Sequence, residues 1–325
     1  MLSLADLPRF PLLDGPSPLQ PLHRFSEALG NRAEVWIKRE DLLPLAFGGN
    51  KLRNLEFLVG RALADGADTL VTSGRRWSNH CRLTAAAGAR AGLGVHLVLG
   101  GPPRRDDGPN VRLERLLGAT IHVAPTSDRA DREALVGDVT AALRSAGRRP
   151  FMIEVGGSGV TGAVGQVLAG QELVEQARKR AAEPHSLIVP SATGGTQAGL
   201  LWGLRDAGCA ARVIGVAVAQ PPDELRARVA AILNGLADLT GAEPPAEAIE
   251  VNADHLAPGY GRRNGAAKEA TELLARTEAI LVDPIYTAKA LAGLIGLVRS
   301  GELDGRRVVF WHAGGTPGLF EPLGD

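Results

Sequence analysis

The chain is predicted to be an α/β protein with two open, twisted, mostly parallel sheets flanked by helices and a cleft between the domains. Three observations predict this. Short runs rich in β-branched residues alternate with amphipathic helical segments along most of the sequence, which is the pattern of strand, helix and parallel strand. The runs are too many for one sheet in a chain of 325 residues, so two lobes follow. Glycine-containing turns stand where several strand runs pass into helices, and ligands of open parallel sheets bind at such ends.

Taken in order, the stretch up to Pro21 is broken by prolines and has no basic region followed by an apolar run, so it does not read as a signal peptide. Strands are expected at 34–38, 69–72, 95–99, 120–123, 151–153, 186–189, 213–217, 248–251 and 308–311, and helices at 53–64, 80–91, 129–146, 165–182 and 224–236, with a further helix around 200–204. The glycine run Gly156-Gly157-Ser158-Gly159 ends a strand and marks a boundary. The expected division is 1–47 with 163–325 as a large cofactor-binding domain and 48–162 as a small α/β domain, so that the chain crosses between them just before Lys51.

Lys plus Arg and Asp plus Glu are 36 each, which leaves no basic surplus for nucleic acid, and aromatics at 4% are too few for base-stacking platforms. Cys81 and Cys209 form neither a disulfide framework nor a zinc pattern, which fits a reducing cytoplasm. No run of about 18 apolar residues occurs, so no membrane span is expected.

The stretch Phe47-Gly48-Gly49-Asn50-Lys51-Leu52-Arg53 is the one around which the rest is arranged. Its glycines allow a tight turn, Asn50 is placed to cap, and Leu52, Leu55 and Leu58 begin a helix with Lys51 in the first turn. Cations there lie at the positive end of the helix dipole, where anions are favoured by about 0.3–1 kcal/mol. The placement favours a neutral amine or an imine over an ammonium ion, although a solvated lysine tolerates a penalty of that size.

Further candidates sit at other turns. Ser191-Ala192-Thr193-Gly194-Gly195-Thr196 exposes backbone N–H groups at a helix N-terminus, an anion site suited to phosphate or a plain tight turn. Ser78-Asn79-His80 opens a helix as caps or as a grip on a substrate carboxylate, and His80 has no partner at metal-ligand spacing. The two tyrosines of the chain, Tyr260 and Tyr286, lie in glycine or proline turns. A lysine favoured neutral, a phosphate cradle, a carboxylate grip and tyrosines for proton transfer together match the needs of pyridoxal 5'-phosphate.

Gly48-Gly49-Asn50-Lys51, Ser78-Asn79-His80-Cys81-Arg82-Leu83-Thr84, Thr193-Gly194-Gly195-Thr196, Gly259-Tyr260-Gly261, Asp283-Pro284-Ile285-Tyr286 and His312-Ala313-Gly314-Gly315, in this order, resemble the D-cysteine desulfhydrase and 1-aminocyclopropane-1-carboxylate (ACC) deaminase branch of the pyridoxal-phosphate enzymes with the tryptophan synthase β-like fold. The resemblance runs from Pro18 to Leu319. It implies that Lys51 holds the cofactor beside Asn50, Asn79 meets its ring hydroxyl, Thr193, Gly194, Gly195 and Thr196 take its phosphate, and Thr287 stands beside its pyridine nitrogen. It implies catalytic roles for Lys51, Tyr286, Ser78 and Tyr260, and substrate contacts from Ser78, Asn79, His80 and Trp77. No metal is implied.

Ser-Asn-His-Cys-Arg is similar to the desulfhydrases, whereas the deaminases carry Ser-Asn-Gln-Thr-Arg and a glutamate where Thr287 stands. The resemblance therefore implies a lyase that eliminates a β substituent from a small amino acid to give a 2-oxo acid and ammonia, working as a homodimer. ACC deamination to 2-oxobutanoate, elimination from an acidic amino acid such as cysteate, and a non-catalytic sensor of the cofactor or of an amino acid remain as alternatives. The chain departs from the pattern at Arg75-Arg76-Trp77, Glu154, Ala192 and Arg262-Arg263. An arginine of these turned inward would select an anionic side chain.

Overall fold

A computed structural model describes residues 4–101, 107–126, 128–262 and 264–322; Arg263 lies outside the described residues. In chain order the elements are β1 (Leu19–Pro21), α1 (His23–Ala28), β2 (Ala33–Arg39), α2 (Lys51–Ala64), β3 (Thr69–Arg75), α3 (Asn79–Ala91), β4 (Gly94–Gly100), α4 (Pro109–Leu116), β5 (Thr120–Val123) and α5 (Arg129–Ser145). There follow β6 (Pro150–Met152), α6 (Val160–Lys179), β7 (Ser186–Ser191), α7 (Gly195–Asp206), β8 (Arg212–Ala217), α8 (Pro222–Thr240), β9 (Glu250–Asn252), α9 (Gly265–Glu278), α10 (Thr287–Arg299) and β10 (Arg306–His312).

The strands form a six-stranded sheet in the order β1-β2-β10-β7-β8-β9 and a four-stranded sheet in the order β5-β4-β3-β6. Every pairing is parallel except β1 with β2. The strands before Lys51 thus belong to the sheet that is completed by the last four strands, and the chain leaves that sheet for the smaller one through the Lys51 turn.

Both faces of each sheet are covered, so the inner strands are apolar on both sides. In β10, Val309 and Trp311 enter one core cluster and Val308 and Phe310 the other, the period-two alternation of a strand. In β3, Leu70 and Val71 divide between the two clusters of the smaller sheet in the same way.

The structure shifts some expected boundaries. The helix expected at 165–182 starts at Val160 and ends at Lys179. Its early glycines weaken the periodic signal, but they are there for packing: a Cβ on Gly165 would lie 2.0 Å from the Arg53 carbonyl oxygen of α2. Strand β1 was not expected, being three residues long and ending in proline.

Arg53 does not add charge beside Lys51. Its guanidinium meets both oxygens of buried Glu40 at 2.6 and 2.8 Å and Glu172 of α6 at 2.9 Å, and Glu172 also takes Lys38 of β2. Burial lowers the Lys38 pKa and Glu172 opposes that shift. This cluster fastens the helix that starts at Lys51 to the larger sheet.

Candidate active site

The turn before α2 is held from two sides. Gly314, after β10, approaches so closely that a Cβ on it would lie 2.5 Å from Gly49 Cα, and the Asn50 N–H donates to the Ala313 carbonyl at 3.0 Å. From α3, buried Arg82 donates to the carbonyls of Ala46 and Gly48 and, at 2.9 Å, to Asn110. Lys51, the first residue of α2, then faces a cavity of about 410 Å³ between the two sheets. Among the described residues its amine has no ion pair or hydrogen bond, and burial brings its pKa down to about 8.

Asn50 does not cap α2. It adopts helical dihedrals, and its side-chain amide instead donates to Thr196 Oγ1 at 2.9 Å. That bond carries the Lys51 turn to the loop between β7 and α7. There Gly194 has φ 85°, a left-handed conformation that glycine adopts freely, and Gly195 starts the helix. A Cβ on Gly195 would lie 2.9 Å from Ser158 Cα, and Thr193 Oγ1 contacts Ser158 Oγ. Hydroxyls and the uncapped N–H groups of the first turn of α7 thus converge where only glycine fits, an arrangement able to hold a phosphate. Thr193, Gly194 and Thr196 line the cavity; Gly195 lies behind it against Ser158.

At the end of β3, Ser78 Oγ accepts from the Cys81 N–H at 3.2 Å and so caps α3, while Ser78, Asn79 and His80 all line the cavity. His80 Nε2 lies 2.9 Å from Thr72 Oγ1, and burial together with the charge of Lys51 pushes its pKa down to about 3. It is neutral at any working pH. Tyr260 and Tyr286 reach the cavity from the larger sheet, their hydroxyls hydrogen-bonded to each other. Burial raises both phenol pKa values, that of Tyr286 strongly. The loop bearing Tyr260 is held by Lys289 of α10, which donates to the Gly259 carbonyl at 2.7 Å.

Besides Gly195, two expected site residues do not line the cavity. Trp77 packs edge-on against Tyr260, with ring centroids 5.8 Å apart, and covers Gly261; it supports the tyrosine from behind. Thr287 is buried with its hydroxyl 2.6 Å from Asp283 Oδ2, and Asp283 accepts from the N–H groups of Ile285, Tyr286 and Thr287. Thr287 therefore fixes the start of α10 and aims Tyr286. Of the unusual arginines, Arg75 lines the cavity, Arg76 turns to Asp107 at 3.6 Å, and Arg262 is exposed.

Sequence reasoning missed Asp128, Arg129 and Arg132 at the start of α5 and Gln220, Glu224 and Arg228 around α8, which also line the cavity. Their surroundings read as ordinary charged helix faces. The one trace is Gly100 of β4, where a Cβ would lie 2.7 Å from Arg132 Cδ.

Comparison with known proteins agrees with this arrangement. The family model described as "Pyridoxal-phosphate dependent enzyme" matches residues 11–314. The D-cysteine desulfhydrase of Yersinia pestis (strain Pestoides F) is 40% identical over 321 residues, covering 98% of this chain and 96% of that protein. That of Salmonella typhi is 39% identical over 324 residues, covering 98% and 97%. A crystal structure of an ACC deaminase homologue superimposes with a TM-score of 0.91 at 34% identity, covering 98% of this chain and 94% of that one. The sheet architecture is that of the tryptophan synthase β-like fold. With a lysine of depressed pKa lining one cavity with the glycine turn before α7, between two sheets, and with a match across nearly its whole length, the chain belongs to the pyridoxal-phosphate dependent enzymes.

Proposed function

We propose that the chain is a D-cysteine desulfhydrase-like lyase, which removes a β substituent from a small amino acid and releases a 2-oxo acid and ammonia. The observation that carries this reading is the meeting, in one cavity, of the Lys51 amine and the Tyr260–Tyr286 pair. The bound cofactor supplies an aldehyde that combines with amines and a ring that draws electrons from the substrate Cα.

The protein's part is to hold and move protons. Lys51, with its pKa near 8, is neutral often enough to take the Cα proton. The Tyr286 hydroxyl receives or returns a proton, and Tyr260 holds it in line through their mutual hydrogen bond. Ser78 and Asn79, at the start of α3, grip the substrate carboxylate, and Asn79 also faces the cofactor ring. Thr193, Gly194 and Thr196 hold the phosphate, with Asn50 bracing Thr196. With D-cysteine the products are hydrogen sulfide, pyruvate and ammonia.

The test is Lys51→Ala. Purified, it should lose the yellow colour of the wild type and all pyruvate formation, and a fully active variant would end the reading. ACC deamination is the second reading, favoured by the TM-score of 0.91 to the ACC deaminase homologue. Thr287, engaged with Asp283, offers no carboxylate to keep the pyridine protonated, which favours β-elimination over ring opening. Pyruvate from D-cysteine against 2-oxobutanoate from ACC, assayed side by side, separates the two.

The same reading places the chain in the cytoplasm as a homodimer. Cys81 and Cys209 are free and buried, and among the described residues no helix is long and apolar enough to cross a membrane. Phe47 and Phe320 are 61% and 72% exposed and line one shallow apolar pocket, a surface suited to a second copy. Light scattering of the purified protein gives the oligomeric state directly.

A further inference from the structure

Arg82 lies fully buried on α3, on the same helix face as Asn79. Its Nε donates to Asn110 Oδ1 at 2.9 Å, and its two amino groups reach the Ala46 and Gly48 carbonyls of the turn before Lys51. Nη2 also donates to Asn79 Oδ1 at 3.4 Å. Asn110 is itself fixed, its amide donating to Glu321 Oε1 at 3.2 Å and to the Trp77 carbonyl at 3.4 Å. Burial lowers the Arg82 pKa to about 10, while Glu114 and Asp283 raise it, so the group is charged at neutral pH.

A guanidinium carries donors and no acceptor, so the atom of Asn79 that meets it is the amide oxygen. The amino end is turned elsewhere. It lies beside Gly315, after β10, where a Cβ would come 3.0 Å from Asn79 Nδ2, and the missing side chain leaves the amide its room. Asn79 lines the cavity, and its Nδ2 makes no hydrogen bond to any described residue. Asn79 thus has its acceptor occupied and a donor to spare.

We propose that Arg82 is a positioning residue: by holding the oxygen of the Asn79 amide, it commits the amino end to an acceptor oxygen on the cofactor ring. The same guanidinium ties that donor to the Lys51 turn, so the ring and the amine are set by one group. The proposal rests on the reading in which Asn79 faces the cofactor ring. A donor at the ring oxygen favours its anionic state, which gives the holoenzyme its yellow colour, over the neutral and colourless one.

The experiment reads the absorption spectra of cofactor-loaded wild type and variants. Asn79→Ala and Arg82→Met should each move the balance from the yellow toward the colourless form by about 10-fold or more, the size of a lost hydrogen bond to a charged group. The double variant should shift no further than Asn79→Ala, because Arg82 acts through that amide. Arg82→Lys, which keeps the charge and loses the planar fork, should shift the balance less than Arg82→Met, and it replaces Arg82→Met in the cycle if the latter takes up no cofactor. Titration of cofactor-free proteins with pyridoxal phosphate separates the bracing of the turn: Arg82 variants should bind it more weakly even in the Asn79→Ala background.

Arg82 variants as yellow as wild type would overturn the proposal. So would an equal loss of colour with and without Asn79, which leaves Arg82 as a brace alone. If Asn79→Ala keeps the colour, the ring contact of Asn79 fails and the proposal fails with it. If the coupled shifts are found but D-cysteine yields no pyruvate, the positioning role stands and the desulfhydrase reading falls.

Discussion

The side-chain amide of Asn50 donates to the hydroxyl of Thr196 at 2.9 Å, across 146 residues of sequence. It joins the residue before Lys51 to the loop proposed to hold the cofactor phosphate, so the position of the amine is tied to that of the loop. A buried neutral bond of this kind contributes about 1 kcal/mol net, and more is lost when one partner is left alone. Asn50→Ala and Thr196→Val should each weaken pyridoxal phosphate binding by roughly 5- to 50-fold. The double variant should be little worse than either, because the two share one interaction. Absorbance titration of cofactor-free protein gives the affinities; fully additive losses would show that the bond does not couple the loops.

Burial holds the Lys51 amine at a pKa of about 8, below its ordinary 10.5. In cofactor-free protein, modification of Lys51 by an amine reagent should therefore rise with pH around a midpoint near 8, followed by mass spectrometry of the peptide that carries it. Between pH 8 and 10.5 the unfolded chain binds the proton that the folded chain has lost, so the contribution of Lys51 to stability increases as pH rises through that window. Urea unfolding at both ends should show this rise in wild type and a smaller one in Lys51→Met. A midpoint near 10.5 would contradict the burial seen here.

Tyr260 and Tyr286 share a hydrogen bond, and burial raises both phenols, so both are protonated across the neutral range. Tyr286→Phe should lower kcat by about 100-fold or more with little change in KM, as expected when a proton-transfer group is removed. Tyr260→Phe should cost less, about 10-fold, since it removes a support and leaves Tyr286 in place. Steady-state kinetics on D-cysteine decide the order, and a larger loss from Tyr260→Phe would exchange the two roles.

Arg53 is the only described cation bonded to the Glu40 carboxylate, which is otherwise bonded to the Ser17 hydroxyl. Arg53→Met leaves that charge buried and should destabilise the protein by about 3–5 kcal/mol. A paired change, Arg53→Met with Glu40→Gln, should recover much of the loss, since it removes the stranded charge. Chemical denaturation of the three variants gives the comparison.

How far the sequence told the fold and the site can be read from single residues. The strand at 120–123 and the helix running from Lys51 were legible because their apolar spacing is local, and local spacing sets which face is buried. Asn50 looked like a cap because caps are local, yet its partner lies in a distant loop that no spacing rule can connect to it. Thr287 was expected beside the pyridine nitrogen, and Trp77 at the substrate, because the family resemblance places those positions there. Neighbours at the start of a helix point about 100° apart, so Tyr286 faces the cavity and Thr287 faces Asp283. Arg132 was invisible, since one arginine on a charged helix looks like any other until the glycine beneath it is placed in an adjacent strand.

Strand β10 lies between β2 and β7, and its register with β2 pairs Arg306 with Ala33 and His312 with Arg39. On the ribosome, the first strands of the larger sheet must therefore wait, unpaired along one edge, until the residues of β10, far along the chain, have been made. Contacts of such sequence separation slow folding and leave sticky edges open to other chains. Expression should accordingly be sensitive to deletions that remove β10, and the cofactor site is complete only once Ala313 and Gly314, which follow that strand and brace the lysine turn, have emerged.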